Sequence, residues 1–136
     1  VHEEFSLERI LDLQKEYPKA QIISHPECQK PIQIVSDFIS STSALLKYVQ
    51  ENSGKEFIVA TESGILHQMR KTVPDKILLP APPNDSTCAC NNCKYMKLHT
   101  LEKLYTCLKY LKPEILLDEE VRLQAEVPIR RMLQIG

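Results

Sequence analysis

The sequence predicts an α/β protein, a three-layer α/β/α sandwich around a parallel sheet with helices added at the C-terminus. Three observations carry that expectation. Short β-rich runs recur at residues 20–24 (AQIIS), 56–61 (EFIVAT) and 76–79 (KILL). Segments with apolar residues at helical spacing separate them, and this alternation implies βαβ crossovers with helices on both sides of the sheet. The first run is a short apolar stretch stopped by His25-Pro26, the form of a parallel strand covered on both faces.

Each element has a local reason. Ser6 is placed to cap a helix whose Leu7, Ile10 and Leu11 share a face and which stops near Tyr17-Pro18. Pro31 suits the first turn of a short helix reaching Phe38, and a second helix is expected from about Ser43, through Leu45 and Val49, to Ser53-Gly54. Residues 64–72 (GILHQMRKT) read as a helix with Ile65, Leu66 and Met69 inward. After Pro80-Ala81-Pro82-Pro83 comes a polar loop holding Cys88, Cys90 and Cys93, which breaks the βα rhythm. Thr100 can cap a helix with Leu101, Leu104, Tyr105, Leu108 and Leu111 on one face. Asp118 opens the last helix, with Val121, Ala125, Ile129 and Met132 inward and a kink expected at Pro128. With no strand between them, these two helices are expected to pack on polypeptide outside this stretch. The expected division is an α/β domain at 1–87, with room for a first strand ahead of Val1, and a loop with helices at 88–136.

Composition narrows the function classes. A chain of 136 residues, 43% of them apolar, matches a single domain with a modest core. The net charge is −1 and the Lys and Arg residues are scattered, so neither nucleic acid nor an anionic membrane is an expected partner. The absence of a signal-like N-terminus or a membrane-length apolar run makes a cytoplasmic setting the expectation. The first residue is Val rather than Met, which is read as a piece of a longer protein. Five cysteines, an odd number, argue against a disulfide framework and for reduced thiols available to a metal.

Ligands of parallel sheets gather where the strands end. By that rule AQIIS delivers His25, Glu27 and Cys28, EFIVAT delivers Thr61, Glu62 and Ser63, and a strand ahead of Val1 would deliver His2, Glu3 and Glu4. Ser40-Ser41-Thr42-Ser43 places four hydroxyls at a helix start, suited to a phosphate or carboxylate but equally explained by an N-cap. His25 can be a backbone-bonded strand-end residue as readily as a ligand-binding one, and Glu27 and Glu62 can simply favour helix starts. Cys28 and Cys107 are expected to be buried or inert thiols, and His67 a surface or packing residue.

The thiol-rich loop leaves several chemistries open. Structural zinc wants four ligands, and Cys88, Cys90, Cys93 and His99 are the available set, a non-enzymatic zinc-binding module being the alternative reading. A disulfide is disfavoured in a reducing compartment. Iron–sulfur ligation would need thiolates from outside the chain.

The strings V-H-E-E-F, S-H-P-E-C, S-S-T-S, F-I-V-A-T-E-S-G-I-L-H-Q-M, C-N-N-C-K-Y-M-K-L and P-I-R-R-M-L resemble the C-terminal part of the quinolinate synthase family of de novo NAD biosynthesis. The resemblance runs collinearly through essentially the whole chain. It implies one of three α/β/α domains related by a pseudo-threefold axis, each lending one cysteine to a central 4Fe-4S cluster. Cys93 is the ligand implied here, while Cys88 and Cys90 match extra cysteines of some members. The implied transferase reaction condenses iminoaspartate, supplied by L-aspartate oxidase, with dihydroxyacetone phosphate to give quinolinate, phosphate and water. His2 and His25 are implied to bind and orient substrate, Glu27 to transfer protons, and Ser41 and Thr42 to anchor an anionic group. Two departures stand out, Lys94 where Pro is common and Ser40 where Gly is usual. With the other ligands on the missing N-terminal domains, the chain alone is expected to be inactive.

Overall fold

The computed structural model describes residues 1–84, 92–93 and 95–135. The chain divides into two units, Val1–Leu98 and His99–Gly136. In the first, α1 (Leu7–Glu16) starts where Ser6 Oγ accepts the Arg9 N–H at 3.4 Å, satisfying a donor that the first helical turn leaves without a partner. There follow β1 (Gln21–Ser24), α2 (Lys30–Val35), β2 (Phe38–Ile39), α3 (Thr42–Glu51), β3 (Glu56–Ala60), α4 (Gly64–Thr72) and β4 (Ile77–Pro80). All strand pairings are parallel, in the order β2-β1-β3-β4.

Side chains alternate across a strand, and both faces of this sheet are covered. Ile22, Ile58 and Ala60 pack with Ile10 of α1 and Ile32 of α2 in one buried cluster. Ile23, Phe57, Val59 and Leu78 pack with Leu45 and Val49 of α3 and Leu66 and Met69 of α4 in the other. This is the expected sandwich.

Two details differ from expectation. The helix opened by Pro31 ends at Val35 instead of reaching Phe38, and Phe38–Ile39 is an edge strand. Tertiary hydrogen bonds redirect the chain: the Asp37 N–H donates to Ile22 O at 2.7 Å, and Asp37 Oδ2 accepts the Ile22 N–H at 2.7 Å. On α1, Leu13 rather than Leu11 joins Leu7 against the core.

The second unit contains α5 (Leu101–Tyr110) and α6 (Glu119–Ile135). Thr100 Oγ1 accepts the Lys103 N–H at 3.2 Å and Asp118 Oδ1 accepts the Glu120 N–H at 3.0 Å, so both caps form as the sequence predicts. α6 runs on through Pro128. Cys107 is exposed rather than buried, and so are Leu101, Leu104 and Leu108, because nothing among the described residues of this unit covers that face of α5. No helix among the described residues is long and apolar enough to cross a membrane.

The connections position the site. β1 leads to β2 on one side, and the chain then returns through α3 to β3 on the other side of β1. The topological switch point therefore lies between the carboxyl ends of β1 and β3, where the loops diverge and leave a crevice.

Candidate functional site

The loop after β1 carries His25, Glu27 and Cys28, and the loop after β3 carries Thr61, Glu62 and Ser63. A short 3₁₀ turn, His2–Glu4, lays the N-terminal segment over these two strand ends. Phe5, 2% exposed, anchors it in the core. Gln29 Nε2 donates to Glu3 O at 2.9 Å, and the Asn84 N–H donates to Glu4 O at 2.7 Å.

Three of the residues singled out from sequence meet there. His2 Nδ1 lies 2.9 Å from Glu27 Oε2, and His2 Nε2 lies 3.1 Å from Thr61 Oγ1. The His2 ring stacks on His25 with centroids 4.2 Å apart and planes 8° apart. His25 Nδ1 accepts the Glu27 N–H at 3.3 Å. Both imidazoles are largely covered, whereas the Glu27 side chain is 72% exposed. An open depression of about 440 Å³ is lined by Val1, His2, Glu3, Glu4 and Glu27.

The donor atoms of His2, His25 and Glu27 lie within 4.8 Å of one another, near enough for one metal ion. The ring geometry works against it. Stacked, nearly parallel imidazoles direct their nitrogen lone pairs side by side, whereas a metal requires them to converge. The arrangement suits hydrogen bonding to an organic ligand better.

Burial, and then the neighbouring His2 ring, hold His25 below its ordinary value of 6.5, against the opposing pull of Glu27. Because the folded chain resists a proton that the unfolded chain accepts, this contribution to stability is fully present above about pH 6.5 and is lost as pH falls through the lowered value. Urea midpoints followed by circular dichroism should therefore decline between neutral pH and about pH 5, with a shallower decline in His25→Gln. Equal slopes in the two proteins would remove His25 as the cause. The adjacent Cys28 thiol donates to Ala60 O at 3.3 Å and is pushed up to about 11 by burial, so it is an inert core thiol as expected.

Glu62 forms a second arm of the site. Its Oε2 accepts the Gly64 N–H at 2.7 Å, while Oε1 accepts the Cys93 N–H at 3.5 Å and lies 4.0 Å from Lys97 Nζ. A Cβ at position 64 would stand 2.6 Å from Oε2, so glycine leaves the carboxylate its place. Ser63 Oγ donates to Asn92 Oδ1 at 2.7 Å. These contacts tie half-buried Cys93 to the loop that carries Thr61.

Ser41 and Thr42 lie one strand further along, after β2. Ser41 caps α3 by accepting the Ala44 N–H at 3.4 Å, and Thr42 is the first helical residue. Among the described residues no hydrogen bond joins them to His25 or Glu27. Cys88 and Cys90 lie outside the described residues, and with them the four-ligand zinc reading. The bond from Thr61 to His2 and the reach of Glu62 to Cys93 escaped sequence reasoning. The strand-end rule had placed both residues on the rim, but only the fold supplies their partners.

A parallel α/β layer with two imidazoles and a carboxylate at its switch point, and Cys93 bonded to the adjoining Glu62, has the layout in which ligand-binding α/β domains hold their ligands. The family described as quinolinate synthetase A protein matches residues 1–134, and the chain belongs to that family. It is 54% identical over its full length to a quinolinate synthase of Synechococcus sp., covering 42% of that protein. It is similarly 53% identical to a quinolinate synthase of Thermosynechococcus vestitus, covering 43% of it, and 49% identical to one of Chloroherpeton thalassium, covering 42%. The chain thus spans about two fifths of the length of these curated relatives.

Proposed function

We propose that this chain forms one wall of the active site of a quinolinate synthase, which condenses iminoaspartate with dihydroxyacetone phosphate and releases phosphate and water. The observation that carries the reading is the meeting of His2, His25 and Glu27 at the switch point, beside the loop that is tied to Cys93.

The roles follow from the donors and acceptors. Glu27, exposed yet steadied through Oε2 by His2 Nδ1, is the group that takes up and returns protons. His2 and His25 offer ring nitrogens to substrate carboxyl and hydroxyl groups. With its Nδ1 accepting the Glu27 N–H, a neutral His25 has its proton on Nε2, where it can donate. The first turn of α3, with Ser41 and Thr42, supplies hydroxyls and backbone N–H groups that suit a phosphate or carboxylate without a cation.

Cys93 fits one corner of a 4Fe-4S cluster: thiolates are the ligands such clusters take, and this residue is half-buried with its backbone N–H donating to Glu62 Oε1 beside the β3 end. The remaining cysteine ligands would come from N-terminal domains of the complete synthase. When bound, a cluster with three cysteine ligands supplies an open iron as a Lewis acid.

The complete synthase carrying Cys93→Ser, reconstituted anaerobically, is expected to hold less iron and to lose the broad visible absorption of the cluster together with its activity. Undiminished iron and colour would refute the ligand assignment. Stoichiometric zinc on the isolated chain would instead favour the zinc-binding alternative.

A further inference from the structure

We infer that Glu62 is a positioning residue that fixes the backbone of Cys93 for its ligand role, with Ser63 as a second tether from the same loop. The start of α4 departs from an ordinary helix start. Ser63 stands at the N-cap position, where a serine usually bonds the helix's own free N–H groups, yet its hydroxyl makes no such bond. It donates instead to Asn92 Oδ1 at 2.7 Å. The Gly64 N–H is taken by Glu62 Oε2 at 2.7 Å, so capping has passed to the carboxylate and the serine at the cap position serves another loop.

Glu62 uses its other oxygen on that loop as well. Oε1 accepts the Cys93 N–H at 3.5 Å and faces Lys97 Nζ at 4.0 Å, and the side chain is only 19% exposed. Capping alone would engage one oxygen, and a glutamine could do it. Only a carboxylate offers an acceptor at each end, since an amide would set its NH₂ against one of the two N–H donors. The residue type thus matches the double task. Cys93 is also fixed from its other side, because its C=O accepts the Lys97 N–H at 3.0 Å.

With both of its backbone groups engaged, Cys93 has its Cα–Cβ direction set, and only side-chain rotation is left to the thiol. A ligand arranged before its metal arrives loses less freedom on binding, and partners that orient a ligand contribute to metal affinity for that reason. Glu62 acts only through Cys93 in this assignment. The hold on the backbone stands on geometry, and its consequence for a cluster rests on the reading of Cys93 as a ligand.

The experiment tells these two apart. In the complete synthase, freed of metal and labelled with ¹⁵N in cysteine, the Cys93 amide is identified by its disappearance in Cys93→Ser. Glu62→Gln keeps the shape of the side chain and one acceptor, which is expected to stay on the shorter bond to Gly64. The Cys93 amide should then exchange with deuterium about tenfold faster, with the circular dichroism unchanged. Ser63→Ala should move it the same way by a smaller factor. After anaerobic reconstitution, Glu62→Gln should surrender iron to a chelator about tenfold faster than the unaltered enzyme. Unchanged exchange at Cys93 in both Glu62→Gln and Glu62→Ala would overturn the role of Glu62. Faster exchange with unaltered iron release would overturn its consequence for the ligand where Cys93→Ser fails to hold the cluster. A Cys93→Ser enzyme that holds its cluster would instead overturn the reading of Cys93 and leave the hold of Glu62 on its backbone standing.

Discussion

Glu27→Gln is expected to lower kcat of the complete synthase by about a hundredfold or more while leaving the protein folded and its iron content unchanged. Glutamine keeps the length and an oxygen that can accept from His2 Nδ1 at the position now 2.9 Å away, so the local shape should survive. What is lost is the group able to take up a proton. The exposed position of the side chain argues against a general loss of stability as the source of the effect, since surface substitutions usually change stability by less than about 0.5 kcal/mol. Steady-state kinetics beside iron analysis separate the possibilities: normal turnover with an intact cluster would remove Glu27 from the chemistry.

The largest stability effect is expected at Phe57. Its side chain is fully buried on the α3 and α4 face of the sheet, edge-on to Tyr48 with centroids 6.4 Å apart. Lys76 Nζ lies 5.4 Å from the ring centroid while donating to Val49 O at 2.6 Å, so the ring also helps hold the end of α3. Phe57→Ala should cost about 3–5 kcal/mol, a large share of the roughly 5–15 kcal/mol that holds a typical domain together. Ile34→Ala, at a residue 74% exposed, serves as the control and should change stability by less than about 0.5 kcal/mol. The chain has no Trp, so denaturant unfolding is best followed by circular dichroism. A loss at Phe57 no greater than that at Ile34 would contradict the second core cluster.

The elements that the sequence made legible are those governed by local rules. Ser6 and Thr100 each accept a backbone N–H three residues on, as an N-cap must, and Ser41 is the one of the four hydroxyls at 40–43 that does the same for Ala44. α4 keeps its expected limits because Gly64 and the residues after Thr72 bound a single amphipathic stretch. β2 was not legible. Two residues are too few to show a period, and Phe38–Ile39 is a strand only because β1 offers it an edge and Asp37 turns the chain toward Ile22.

The same division runs through the site. The strand-end rule selected His25, Glu27 and the Thr61 loop from order alone, because a parallel sheet sends all its carboxyl ends to one side. Which of them touch was decided by long-range packing: residues 2 and 61 are joined by one hydrogen bond across nearly half the chain. Residue chemistry and spacing thus determined the layers, the caps and the rim on which the polar groups gather. The tertiary structure alone decided that His2 bridges Glu27 and Thr61, and that Glu62 reaches Cys93, because a side chain's partners depend on which strands lie side by side, and no local period encodes that.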